Sequence, residues 1–254
     1  MVWNWNDMKI LFYYMLGFLG LNSQDYILSS YPRSGSTWLR FILCHTLDLE
    51  ESLQGEIDYE KLDEVMVELG GNNLLKPWPF ATLPRIVKTH KPYFRFFRRS
   101  EGAIGLIRDP RDVMVSYFHF KKDRKKQFLG DFSTFIRDNR FGLVPWFEHY
   151  QSWHENWDFV LRYETLRKDT LQEVRKLYSW LGVRVSSDSM VKAVQRSRLE
   201  NVRKLEDDYK DIKKEQARMA RSGETEQWRS YFQAGDLAYF DGMKQRYSLG
   251  DFPY

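Results

Sequence analysis

The sequence predicts an α/β fold: a single domain with a central parallel sheet flanked by helices and a P-loop-like phosphate-binding turn. Three observations predict it. Short apolar, β-branched or aromatic runs alternate with longer helix-patterned segments, the order expected of strands joined by crossovers. A turn rich in Ser and Gly, residues 31–37, lies between one such strand and the helix after it. No linker, repeat or low-complexity stretch divides the 254 residues, so 1–254 reads as one domain, with 1–24 an apolar helix packed on or beside it.

The elements follow in order. Residues 26–31 read as a strand, and 37–47 as a helix carrying apolar Trp38, Leu39, Ile42 and Leu43. Residues 58–69 read as a second helix, stopped by Gly70 and Gly71. Strands are expected at 85–89 and 103–107. Asp109 and Pro110 then open a helix as N-cap and first-turn proline. Helices at 131–139 and 144–156, a strand at 157–163 and a helix at 170–181 complete the alternation. From Ser186 onward the pattern is helical, with a charged stretch at 203–214. Ligands of such sheets sit at the carboxyl ends of the strands.

Composition narrows the class. Apolar residues make up 43% and charged residues 29%, a globular balance. Lys and Arg number 39 against 35 Asp and Glu, leaving a net +4. That excess is too small to argue for nucleic acid and suits an anionic small ligand. One cysteine, Cys44, excludes an intramolecular disulfide framework and any multi-cysteine zinc site, and fits a reducing, cytoplasmic setting. The apolar run 10–21 is shorter than the about 20 residues a spanning helix needs. The residues before it are poor in basic side chains and lack a small-x-small cleavage site. It reads as a packed helix, with a peripheral membrane- or partner-facing role as the alternative, and no integral membrane segment is expected.

The turn carries the first chemistry. In Tyr31-Pro-Arg-Ser-Gly-Ser-Thr-Trp38, a strand-to-helix placement aims backbone N–H groups and a helix N-terminus at one point, an anion site. Gly35 permits close approach and an unusual dihedral. Ser34, Ser36 and Thr37 add hydroxyls, and Arg33 adds a cation. A Ser/Gly-rich turn with a simple N-cap is the plainer reading. The Walker pattern Gly-x4-Gly-Lys-Ser/Thr is absent, which disfavours an ordinary ATP or GTP site. On the strand at 85–89, Lys88 and the following His90 are two apart and share a face. His45, His119, His149 and His154 lack such company and read as ordinary histidines, with no zinc spacing, and no metal is expected.

This turn resembles the 5′-phosphosulfate loop of the PAPS-dependent sulfotransferases, Tyr-Pro-Lys-Ser-Gly-Thr-Thr-Trp. Three later segments are similar to family motifs in the same order: Pro84 to Pro92 with the catalytic strand, Ile107 to Tyr117 with the 3′-phosphate segment, and Arg221 to Trp228 with the C-terminal loop. Arg162 to Leu166 also fits. The resemblance runs from about residue 26 to 240. It implies transfer of the sulfuryl group of PAPS to a small-molecule alcohol, phenol or amine, with PAP as product. His90 is then the general base, and Arg33 and Lys88 stabilise the leaving phosphate.

The resemblance assigns the remaining cofactor contacts as well. Arg33, Ser34, Gly35, Ser36 and Thr37 meet the 5′-phosphosulfate. Arg108, Ser116, Arg221, Ser222 and Gly223 hold the 3′-phosphate. Trp38, Tyr163, Ser197 and Leu199 surround adenine. The chain departs from the family pattern where Arg33 and Ser222 stand in place of lysines and Leu199 in place of an aromatic. The family's dimerisation stretch is not recognisable at 232–240. The basic runs 95–99 and 121–126 read as solvated faces or as steering charge, and loops 76–80, 93–97 and 141–146 as acceptor-facing. A P-loop-like small-molecule kinase and a non-catalytic nucleotide-binding relative stay open as alternatives.

Overall fold

Four parallel strands form the centre of the molecule, a computed structural model that describes residues 5–213, 223–247 and 252–254. They are β1 (Tyr26–Ser29), β2 (Ile86–Thr89), β3 (Gly102–Ile107) and β4 (Phe159–Arg162), in the order β2-β1-β3-β4. Tyr26 pairs with both Ile86 and Gly102, which puts β1 in the middle in register with both neighbours. Successive residues point to opposite faces. Thus Leu28, Ile104, Leu106 and Leu161 join one core, while Ile27, Val87 and Ala103 join another. Both faces are covered, so β2 and β3 are buried throughout, and β3, Gly-Ala-Ile-Gly-Leu-Ile, reads in sequence as an apolar run rather than an alternating one.

The helices flank this sheet. They are α1 (Trp5–Gly20), α2 (Ser36–Glu51), α3 (Tyr59–Val65), α4 (Pro110–His119), α5 (Phe132–Arg137), α6 (Leu143–Trp153), α7 (Tyr163–Lys168), α8 (Thr170–Trp180), α9 (Ser187–Arg196), α10 (Leu199–Lys213) and α11 (Ala234–Tyr247). Helices α2 and α8 pack Leu39, Leu43, Val174 and Leu177 on one side of the sheet. Another core is rich in aromatics, with Phe118, Phe135, Phe147 and Phe240 beside Val113, Met114 and Leu143. The expected cap forms at Asp109, which accepts Arg111 N–H at the start of α4, and Asp58, Asp131 and Asp169 cap α3, α5 and α8 in the same way. Pro110 is in the first turn of α4.

One element departs from expectation. The helix predicted over 58–69 ends at Val65. The chain then turns extended and adds to the sheet edge: Lys88 N–H donates to Val67 O at 3.0 Å, and Leu69 N–H donates to Lys88 O at 2.9 Å. Buried Arg40 stops the helix by donating to the carbonyls of Leu62 and Met66 while it pairs with Asp63 at 2.9 Å. These partners lie more than 20 positions from Arg40, so no local pattern announces them. The basic run 121–126 also differs. It begins in a π-helical turn, Phe120–Arg124, in which Arg124 is buried against Glu206 at 3.3 Å rather than solvated.

The topology places the site. From β1 the chain crosses to β2 on one side, and from β3 it crosses to β4 on the other. The connections therefore diverge between β1 and β3, and their carboxyl ends leave a crevice there.

Candidate active site

All four strands deliver residues to that crevice. β1 runs into the turn 31–37, β2 ends at Lys88 and Thr89 just before His90, β3 ends just before Arg108, and β4 ends just before Tyr163. A cavity of ≈ 390 Å³ opens among them. Its walls include Arg33, Gly35, Ser36, Thr37, Trp38, Lys88, His90, Arg108, Ser116, Tyr163, Leu199 and Gly223, so twelve of the sixteen residues singled out from the sequence meet at one surface. Arg221 and Ser222 lie outside the described residues.

Ser34 and Ser197 are not brought to the cavity wall. Ser34 is tucked beneath the turn, where its N–H closes onto Tyr31 O at 3.2 Å. Ser197 ends α9 fully buried and contributes its backbone carbonyl instead, which accepts from Trp38 Nε1 at 2.8 Å.

The turn is built for close approach. Gly35 has φ 101°, and a Cβ there would lie 2.6 Å from the Tyr163 ring, so only glycine fits. Arg33 also adopts a left-handed φ of 76°, a conformation that is strained for a non-glycine residue. Its Nε donates to Ser116 Oγ at 3.1 Å, and its guanidinium lies 5.0 Å from the Phe120 ring centre. The turn is thereby linked to α4 through Arg33. Burial and the neighbouring Arg108 charge push Arg33 down to about 10. Two guanidiniums held close in a desolvated crevice make a site that favours an anion.

Arg108 lies 4.3 Å from the Tyr163 ring centre and donates to Glu224 O at 2.8 Å. No salt bridge joins Arg108 to the nearby Asp109 or Asp112. Asp109 pairs with Arg111 at 2.7 Å, and Asp112 accepts the N–H groups of Glu226 and Trp228 at 2.7 and 3.1 Å. Tyr163 Oη donates to Gly223 O at 2.8 Å, and Arg167 Nε donates to the same carbonyl at 3.2 Å. These bonds dock the chain after residue 222 against α4 and α7. Sequence reasoning missed Asp112 and Arg167, whose partners lie more than 50 residues away.

Lys88 and His90 both face the cavity, as their spacing predicts. Lys88 Nζ contacts Glu68 Oε2 at 2.9 Å, and burial lowers its pKa while Glu68 opposes the shift. His90 Nδ1 lies 2.6 Å from Ser30 O. A carbonyl oxygen only accepts, so Nδ1 carries the proton and Nε2 keeps its lone pair. Burial, and then the Lys88 charge, depress His90 to about 3. His149, an ordinary histidine by sequence, is buried nearby and is likewise depressed to about 3 by burial and by His90.

Loops 76–80, 93–97 and 141–146, expected to face the acceptor, do not reach the cavity. Trp78 and Phe80 pack on the core around α2, Tyr93 and Phe97 pack against Trp153, and Trp146 packs against Phe147. Aromatics without a helical or strand period gave no signal of which hydrophobic cluster they would enter. The apolar wall is supplied instead by Tyr59, Tyr117, Phe120 and Val202.

Fold and cavity together describe an anion-binding α/β enzyme with its site at the strand ends. The sulfotransferase domain family matches residues 23–250, and the chain belongs to that family. It is thus a sulfotransferase. Sulfotransferase 2A2 of Rattus norvegicus is 28% identical over 249 residues, covering 91% of this chain and 86% of that protein. Sulfotransferase 2A1 of Homo sapiens is 28% identical over 259 residues, covering 92% and 87%. Among solved structures, mouse sulfotransferase SULT7A1 complexed with PAP has a TM-score of 0.61 at 20% identity, covering 93% of this chain and 88% of that one. Retinol dehydratase in a complex with retinol and PAP has a TM-score of 0.69 at 21% identity, covering 92% and 84%. Among the described residues no helix is long and apolar enough to cross a membrane.

Proposed function

We propose that this chain, as one sulfotransferase domain, transfers the sulfuryl group of PAPS in line to a hydroxyl or amine of a small-molecule acceptor. The observation that carries the reading is the convergence of Arg33, Lys88, His90 and Arg108 on one cavity, with the His90 tautomer set by Ser30 O. The cavity fits the donor: Arg108 pairs with no carboxylate among the described residues, and the positive-φ turn presents Gly35, Ser36 and Thr37 beside Arg33.

PAPS supplies the transferable sulfuryl group and a phosphate leaving group when bound. The chain's own residues divide the rest. Arg108 and Ser116, with Arg221, Ser222 and Gly223, hold the 3′-phosphate. The turn from Arg33 to Thr37 holds the 5′ end, with Ser34 closing the turn from beneath. Trp38, Tyr163, Ser197 and Leu199 bound the adenine region. His90 Nε2 takes the proton of the attacking hydroxyl or amine, a role that typically contributes about 10²- to 10⁴-fold. Arg33 and Lys88 carry the charge that grows on the leaving oxygen.

Tyr59, Tyr117, Phe120 and Val202 favour an acceptor with an apolar body. The retinol of one structural relative and the androsterone held by retinol dehydratase in another are such molecules. Buried Cys44, the only cysteine, suits a cytoplasmic site of action. The test is thermal melting with nucleotides. PAP at about 100 times its Kd should stabilise the protein by about 2.7 kcal/mol, and ATP far less. Protection by ATP alone would favour a kinase. PAP binding with no transfer from labelled PAPS to a broad acceptor panel would favour a non-catalytic relative.

A further inference from the structure

Helix α1 carries two apolar stripes, and the fold uses only one. Tyr14, Gly17, Phe18 and Leu21 face inward. Phe18 sits 5.6 and 4.9 Å from the ring centres of Phe94 and Phe96, and a Cβ on Gly20 would collide with the Leu74 backbone. Met8, Leu11, Phe12, Met15 and Leu19 recur at helical spacing on the opposite side and are between 46% and 64% exposed. The turns beneath the helix add Leu75 and Phe94 to the same region. Among the described residues only Leu129, Val160 and Val191 are large exposed hydrophobics elsewhere, and they are far apart in sequence. Apolar exposure is therefore concentrated here, in a continuous patch of the kind that marks an interaction surface.

The surroundings of the patch are basic. Lys91, Arg95, Arg98 and Arg99 are exposed, and none has a carboxylate partner among the described residues. They belong to the same surface: Lys91 Nζ lies 5.1 Å from the Tyr14 ring centre, and the Arg99 guanidinium lies 5.2 Å from that of Phe96, which itself packs on Phe18. We propose that α1 and the Arg95–Arg99 turn form a docking surface for an anionic lipid bilayer, with the outer stripe of α1 inserted at the headgroup boundary and the four cations on the lipid phosphates and carboxylates. Charge decides between a bilayer and a second copy of the chain. A two-fold interface would set this uncompensated cation cluster against or beside itself, whereas an anionic surface neutralises it. The proposal needs neither PAPS nor turnover, and so stands apart from the reaction assigned above.

The test is sedimentation of the full chain with phosphatidylcholine vesicles and with mixed phosphatidylcholine–phosphatidylserine vesicles. Binding should require phosphatidylserine and weaken with salt. The exposed double variant Leu11→Ser/Leu19→Ser and the charge reversal Arg95→Glu/Arg99→Glu should each lower the partition coefficient more than tenfold, with melting temperatures near that of the parent. Failure of the parent chain to sediment with phosphatidylserine vesicles overturns the proposal without any variant. So does a concentration-dependent dimer in light scattering that the Leu11→Ser/Leu19→Ser variant makes monomeric, because the stripe is then an interface between copies.

Discussion

His90 shows how much a single contact decides. The 2.6 Å approach of Nδ1 to Ser30 O leaves Nε2 able to accept a proton, and burial keeps the ring neutral well below its usual range. A base held this low is weak in the empty site, and an anionic donor beside it would raise its pKa. Replacing His90 with Ala should abolish transfer from labelled PAPS while PAP affinity by calorimetry stays within a few-fold. Unchanged turnover would remove it as the base. Arg108 makes the complementary case. Its guanidinium is committed to a ring face and to backbone carbonyls rather than to a carboxylate. Arg108→Ala should weaken PAP by one charge-assisted contact, roughly 1.5–3 kcal/mol, and AMP much less. Equal losses would contradict a 3′-phosphate role. Both residues were legible in the sequence because each sits in a short motif next to a strand end.

At the scale of elements, the joints matter more than the elements. Asp25, just before β1, pairs with Arg85, just before β2, through two bonds of 2.8 and 2.7 Å, with both side chains nearly inaccessible. The same guanidinium donates to Gly20 O at the end of α1 and to Leu74 O and Lys76 O. One buried cation thus ties helix, loop and two strands. Asp25→Ala would leave that charge without its carboxylate and should cost about 3–5 kcal/mol in urea unfolding. A loss below about 1 kcal/mol would mean the carbonyls alone suffice. The strands, the Asp109 cap and the first-turn proline of α4 were readable because their signals are local. The early end of α3 and the edge pairing of 67–69 were not, because Arg40 and Lys88 enforce them from outside the segment. That the aromatics of loops 76–80, 93–97 and 141–146 stay off the cavity wall was unreadable for the same reason: aromatic content marks burial, not which cavity a ring will face.

At the scale of the whole molecule, two buried histidines and the cavity-lining His90 couple folding to pH. His45, His90 and His149 are depressed from 6.5 to about 4, 3 and 3, chiefly by burial. Between those values and 6.5 the unfolded chain binds more protons than the native one, so stability rises with pH. The full contribution is present above the unfolded value and is lost as pH falls toward about 4 and below. Each group adds a slope of up to about 1.4 kcal/mol per pH unit. Melting temperature should therefore drop steeply from pH 6 to pH 4.5 and change little from pH 7 to pH 8 through these groups. Saturating PAP should flatten the acid limb, because its negative charge favours protonated His90 more than the empty site does. A melting temperature insensitive to pH over the acid range would show that the histidines are not held neutral.

By itself the sequence determined the parallel α/β architecture, the strand–turn–helix anion site and the shared face of Lys88 and His90. Period-two alternation, capping residues and glycine dihedrals all act within a few positions of the chain. The tertiary structure decided which charges meet. Glu68 takes Lys88, Glu206 takes Arg124, Ser30 orients His90, and Asp112 and Arg167 dock the C-terminal loop. It also left one stripe of α1 without a partner. Those pairings come from strands and helices brought together across 20 to more than 100 positions. At such separations the fold's geometry, and no pattern along the chain, sets the neighbour.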